Sequence, residues 1–106
     1  MNSNTSISER LRVAVNRQRL LDTAYQLVSV PSRTGEGGAV ADRLAELLRI
    51  DGFTVERPIA NHPAAPAVVV RFGSGKGGPT LQFDGHLDTV HLPFVPPAIA
   101  DGRLTG

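Results

Sequence analysis

Residues 81–90 carry the alternation that most constrains the fold: Leu81-Gln82-Phe83-Asp84-Gly85-His86-Leu87-Asp88-Thr89-Val90. Apolar and polar residues alternate through Leu81-Gln82-Phe83, which is the period of a half-buried strand. Strand side chains repeat every two residues, so the alternation predicts Asp84, His86 and Asp88 on one face. Gly85 leaves the opposite face bare and lets backbone or a ligand approach closely. A His/Asp face is expensive to bury unless it is paired or bound. The chain around this stretch must therefore supply a sheet and a polar or liganded pocket together.

Upstream, two helical stripes precede the strands. Ser6 or Ser8 is a candidate N-cap, with Glu9 and Arg10 in the first turn. Leu20, Leu21, Ala24, Leu27 and Val28 recur at three- and four-residue spacing. Pro31 ends that pattern and pushes Val30 toward extended geometry. The reading is one helix, straight or kinked, over roughly residues 8–29, after a disordered 1–7. Residues 32–38 (SRTGEGG) form a turn, and a second helix follows over about residues 37–51 with Val40, Leu44, Leu47 and Leu48 inward. Gly52 supplies its left-handed stop.

Three strands are expected next. Residues 53–56 (FTVE) alternate and end at Pro58. Residues 67–72 (AVVVRF) are rich in β-branched side chains, and residues 80–83 and beyond complete the set. The glycine-rich 73–78 (GSGKGG) predicts a hairpin-like connection between the last two. Pro93, Pro96 and Pro97 keep residues 91–100 extended or irregular. Residues 99–106 (IADGRLTG) resemble the start of a hairpin that lacks its return strand. The fold class is α/β: two N-terminal helices followed by strands of a mixed sheet. So few strands leave sheet edges open.

Composition excludes several functions. The net charge is +1, and the arginines at 10, 12, 17 and 19 are flanked by Glu9 and Asp22, so a solvated helix face accounts for them better than a nucleic-acid patch. There is no cysteine, hence no disulfide framework and no thiolate metal site. Residues 1–8 lack the apolar core of a secretory signal, and no apolar run approaches the ~20 residues of a membrane span. The expectation is a cytoplasmic protein with neither nucleic acid nor membrane as partner.

Two readings of His86 and Asp88 stand side by side. His is the commonest metal ligand, and a ligating His needs its other ring N–H held by a carboxylate or carbonyl. Asp88, two residues on, can do that. A His–Asp hydrogen bond at a strand end, made for structural reasons, explains the same spacing. On spacing alone it is the stronger explanation, because His-x-Asp is short. His62 and His91 read as solvated loop histidines, and Asp84 as structural or outer-sphere. The 73–78 glycines lack the Gly-x-x-x-x-Gly-Lys-Ser/Thr order and the following helix of a phosphate loop. Ser32 near Glu36 has no base placed beside it, so a cap or turn explains both.

Beyond the His-x-Asp pair, several patterns occur in order along the chain. Gly-His-Leu-Asp-Thr-Val at 85–90 is preceded by Val28-Ser29-Val30-Pro31-Ser32, Gly35-Glu36, Leu48 through Val55, and Pro79 to His86. It is followed by Asp101 to Gly106. Together these residues resemble the dinuclear zinc exopeptidase/amidohydrolase family of the acetylornithine deacetylase, succinyl-diaminopimelate desuccinylase, carboxypeptidase G and aminoacylase type, over about residues 20–106. The resemblance implies that residues 8–106 are the N-terminal part of a metallohydrolase catalytic domain, a partial zinc-dependent exopeptidase fold. It implies His86 as a ligand of one zinc and Asp88 as the catalytic-site carboxylate that orients it. The other ligands and the general-base Glu would lie beyond Gly106.

The implied reaction is amide hydrolysis by a deacylase or peptidase. Two zinc ions, with cobalt or manganese as substitutes, would sit about 3.5–4 Å apart and activate a water. The substrate would be a small acylated amino acid or peptide, and the complete enzyme a homodimer. With one ligand, the 106-residue chain alone is expected to be inactive. The competing reading is a non-enzymatic truncated module that pairs with another chain through open sheet edges.

Overall fold

The computed structural model describes residues 6–90 and 93–106. The disorder expected at the start of the chain and the role expected of His91 fall on residues outside those described, apart from Ser6 and Ile7. Three helices come first: α1 Ile7–Ala14, α2 Arg17–Val28 and α3 Gly38–Ile50. Four short strands follow: β1 Val55–Glu56, β2 Val69–Val70, β3 Ala98–Ala100 and β4 Arg103–Thr105. The class is mixed α/β, as the pattern of stripes and β-branched runs predicts.

The single helix expected over 8–29 is two helices. Val15 leaves α1 in extended geometry, and Asn16 caps α2 by accepting a hydrogen bond from the Arg19 N–H at 3.0 Å. Asparagine competes for local backbone donors and so favours a cap over a helix interior. Ser6 caps α1 in the same way, at 3.1 Å from the Glu9 N–H. At the end of α3, Gly52 takes φ +93°, the left-handed stop that its type permits.

α3 is the hub. It packs against α2 on one side and β1 on the other, and Val40, Ala41 and Ala45 on its inner face are the buried apolar residues among those described. Leu21, Ala24, Leu27 and Val28 of α2 are half-buried, as the stripe predicts, but Leu20 lies exposed. The loop after β1 comes back over the start of α3. A Cβ on Gly38 would stand 2.9 Å from the Ala64 carbonyl oxygen, so only glycine fits there without a shift. Two ion pairs stitch the periphery, Arg19–Asp51 at 2.9 Å and Arg57–Asp42 at 3.0 Å.

β1 and β2 pair antiparallel, Val55 with Val70 and Glu56 with Val69. β3 and β4 form a second antiparallel pair, Ala98 with Thr105 through Ala100 with Arg103, turning at Asp101-Gly102. The return strand expected to be missing is therefore present: the turn signal lies early enough for residues 103–105 to close the hairpin. The ladders are antiparallel, and the parallel element is a single bridge, Arg33 with Thr89.

The strand expected over 80–83 does not form. Gly75, Gly77 and Gly78 take positive φ, and the 73–78 connection does not return the chain within hydrogen-bonding reach of β2. From residue 77 to residue 86, no backbone group bonds to another described backbone group. Residues 68–73 and 80–84 instead flank an open cleft. Leu81, Phe83 and Phe72 are 77%, 86% and 87% exposed, and Phe72 meets Phe53 edge-on at 6.2 Å between centroids.

Candidate metal-binding site

His86 and Asp88 lie where the unpaired stretch regains contact with the rest of the protein. Pro31 stops α2, so residues 32–34 run extended and meet residues 87–89 edge to edge. The Thr89 N–H donates to the Ser32 carbonyl at 2.7 Å, and the Ser32 hydroxyl donates to the Leu87 carbonyl at 3.1 Å. The Thr89 hydroxyl reaches the Ser32 carbonyl at 3.3 Å, and the Thr34 hydroxyl the Thr89 carbonyl at 3.2 Å. Ser32 is the buried polar residue of this contact, at 4% exposure. It is neither cap nor nucleophile; its hydroxyl and carbonyl are spent holding the His86–Asp88 segment.

The His86 ring turns back onto Asp88. Nδ1 lies 2.9 Å from Asp88 Oδ1 and 3.0 Å from the Asp88 carbonyl oxygen. Both neighbours are acceptors, so Nδ1 carries the proton and donates to them. In the neutral form of the ring this leaves Nε2 with a free lone pair, on a side chain that is 85% exposed. This is the arrangement a ligating imidazole needs: one nitrogen fixed by a carboxylate, the other open.

Asp88 stays ionised to do this. The Thr34 hydroxyl beside it is the largest influence, holding its carboxyl below the ordinary range. Partial burial opposes that, and the His86 hydrogen bond adds to the lowering. The Thr34 hydroxyl itself donates to the Thr89 carbonyl at 3.2 Å, one residue beyond Asp88.

Asp84 does not join the pair. Its carboxylate accepts from Gln82 Nε2 at 3.0 and 3.3 Å, a local contact that suits the structural role read from the sequence. His62 sits in the exposed loop before Pro63 and donates its backbone N–H to Ile59. Among the described residues, no group of three His, Asp or Glu side chains converges to hold a metal ion. The residues present fit one ligand and its orienting carboxylate, and do not by themselves fit a whole metal centre. The couple faces a cleft whose other wall includes Gly35, Ala41, Leu44 and Val69.

Sequence reasoning missed Ser32 and Thr34. The available signal was their spacing: two hydroxyls at i and i+2 in an extended stretch point the same way, just after a proline that forbids helix. Nothing in the sequence alone says that the strand they meet lies 55 residues further on.

Fold and site define a small α/β layer that presents a locally fixed His–Asp couple at the rim of an open cleft. Its relatives by sequence are deacylases. The chain is 38% identical over 97 residues to a succinyl-diaminopimelate desuccinylase of Methylobacterium radiotolerans, covering 81% of this chain and 24% of that protein. It is 37% identical over 99 residues to the desuccinylase of Methylorubrum populi, covering 84% and 25%. A desuccinylase of a Methylobacterium species is 41% identical over 96 residues, covering 81% and 24%. What the chain is similar to is thus a stretch of several succinyl-diaminopimelate desuccinylases. The chain spans about a quarter of the length of these relatives. No family model and no solved structure matches it. Among the described residues, no helix is long and apolar enough to cross a membrane.

Proposed function

We propose that residues 8–106 are part of the catalytic domain of a zinc-dependent hydrolase that cleaves an amide bond, with His86 as one metal ligand and Asp88 as the carboxylate that orients it. The observation that carries this reading is the 2.9 Å bond from His86 Nδ1 to Asp88, which leaves Nε2 open. Kinship with desuccinylases gives the couple its chemistry. A metal held there polarises a carbonyl or activates water for hydrolysis, and no step of that kind is assigned to this chain's own residues. Their part is to fix the imidazole tautomer and its direction.

The relatives' name points to an N-acylated amino acid as substrate class, and a deacylase or a peptidase fits that chemistry. The partial character of the domain is supported by the backbone of residues 77–86, which bonds to no other described backbone group, and by the open cleft beside it. A further strand in that cleft would satisfy both edges.

Two protein samples test the reading. The purified 106-residue chain, loaded with zinc, is expected to bind the metal weakly and to hydrolyse no N-succinyl or N-acetyl amino acid. A longer polypeptide carrying this segment is expected to bind zinc and hydrolyse such a substrate, with His86→Ala losing both. Full zinc occupancy and activity in the His86→Ala protein would refute the assignment of His86. Tight stoichiometric zinc in the 106-residue chain would refute the one-ligand reading.

A further inference from the structure

We infer that the Ser32-Arg33-Thr34 segment is the positioning element of the His86–Asp88 couple, holding the two peptide planes on either side of Asp88. This inference rests on the reading of His86 as a ligand through Nε2. Leu87 C=O and Asp88 N–H share one peptide plane, and Asp88 C=O and Thr89 N–H share the next. The Ser32 hydroxyl fixes the first plane at Leu87 O, 3.1 Å away. The Ser32 carbonyl fixes the second at Thr89 N, 2.7 Å away. In a trans peptide the C=O and N–H point opposite ways. Drawing Thr89 N–H toward Ser32 therefore turns the Asp88 carbonyl outward, to the side where His86 Nδ1 meets it at 3.0 Å. Thr34 then secures the next carbonyl, that of Thr89, at 3.2 Å.

Among the described residues, nothing else does this work. Backbone groups of residues 77–86 make no hydrogen bond to another described backbone group, so the couple has no sheet behind it. Among the described residues, the His86 ring is anchored through Asp88 alone, by its carboxylate and its carbonyl. Ser32 is 4% exposed, and a hydroxyl buried in this way is costly unless bonded. The protein places one there and bonds it to the couple's backbone. The segment is itself rigidly placed, because Pro31 and the end of α2 lead straight into it. Ser32 and Thr34 are positioning residues that act through Asp88 and do not touch a metal.

The test reads the His86 tautomer by ¹⁵N NMR in the 106-residue chain at about pH 8, well above the ordinary histidine pKa of about 6.5. A merely structural role would move stability and not this signature. The wild-type chain is expected to show the Nδ1–H tautomer in excess. Thr34→Val and the Ser32→Ala/Thr34→Val double variant are expected to raise the Nε2–H population several-fold, and Thr34→Ser, which keeps the hydroxyl, to restore the wild-type balance. Helical signals of α2 and α3 report that each variant is folded. If the double variant unfolds, Thr34→Val alone decides, since its side chain lies at an exposed position.

An unchanged tautomer in folded Thr34→Val and double variants overturns the inference. So does an Nε2–H population that equals or exceeds Nδ1–H in the wild type, or Thr34→Ser behaving as Thr34→Val. Zinc added to a longer polypeptide separates the two readings. If the tautomer follows the hydroxyls but His86 Nε2 does not respond to zinc, the ligand reading fails and the positioning role stands. If Nε2 responds and the tautomer ignores the hydroxyls, the positioning role fails alone.

Discussion

Urea acting on the isolated 106-residue chain tests the proposal that the domain is partial through the amount of surface that folding buries. A compact monomer of 11.3 kDa exposes about 5,700 Å² and its unfolded chain about 16,400 Å². The structure exposes 8938 Å², so folding buries about 7,500 Å², roughly seven-tenths of the about 10,700 Å² expected at this size. The radius of gyration tells the same story, 16.8 Å against about 13 Å for a compact chain of this length. The excess surface, about 3,200 Å² on one chain, would correspond to one side of an interface at the large end of the obligate class. Since the urea m-value scales with the surface exposed on unfolding, it should be about seven-tenths of that of a compact protein of equal length. The measurements are urea unfolding followed by circular dichroism, and small-angle X-ray scattering extrapolated to infinite dilution. A radius near 17 Å, a shallow broad transition and strong binding of an apolar dye are expected. A monomer near 13 Å that unfolds steeply and cooperatively would refute the claim that the domain is partial.

Three smaller perturbations bear on particular contacts. Backbone amides of residues 77–86 should exchange with solvent nearly unprotected in the isolated chain and become protected in a longer polypeptide, as hydrogen–deuterium exchange will show; protection in the isolated chain would contradict the open cleft. Asn16→Ala should remove the cap on α2 at a cost of about 1 kcal/mol, seen as loss of helical Cα shifts at Arg17 to Arg19 while α3 is unaffected. The Asp88 carboxyl should titrate below its unfolded value of about 3.9, because the Thr34 hydroxyl and then His86 favour its ionised form. Its stabilising contribution is then complete above about pH 3.9 and lost as the pH falls through the folded value. A ¹³C titration in which Thr34→Val fails to move that value upward would remove Thr34 as the cause.

Local signals in the sequence were read well where the neighbours that decide them are close. Gly52 and the leucine stripe of α3 act within one turn, and both stand where the pattern puts them. The break at Val15–Asn16 was equally local but was overridden by the apolar spacing on either side of it. The periodicity of a helix does not register a single residue whose side chain prefers to cap. The strand at 80–83 failed for a different reason. Its alternation is genuine, but a strand is a relation between two segments. The segment beside it, residues 68–73, is separated from it by a cleft with no described strand inside. The sequence described the edge and could not describe what pairs with it.

The site divides along the same line. His86 and Asp88 were legible because their interaction spans two residues, and the chain geometry needed to form it is short. Ser32 and Thr34 were not, because their role exists only once residues 87–89 are brought alongside. The two layers of the site therefore differ in what they demand of the fold. The His–Asp couple can form wherever the local backbone allows, whereas its direction depends on a contact between distant segments. A chain that kept Gly85 through Val90 but lost the Pro31–Thr34 segment would keep the residues of a ligand pair without a defined aim for Nε2. If His86 is a ligand as proposed, the four hydrogen bonds between residues 32 and 34 and residues 87 and 89 are what would give Nε2 its direction toward a metal.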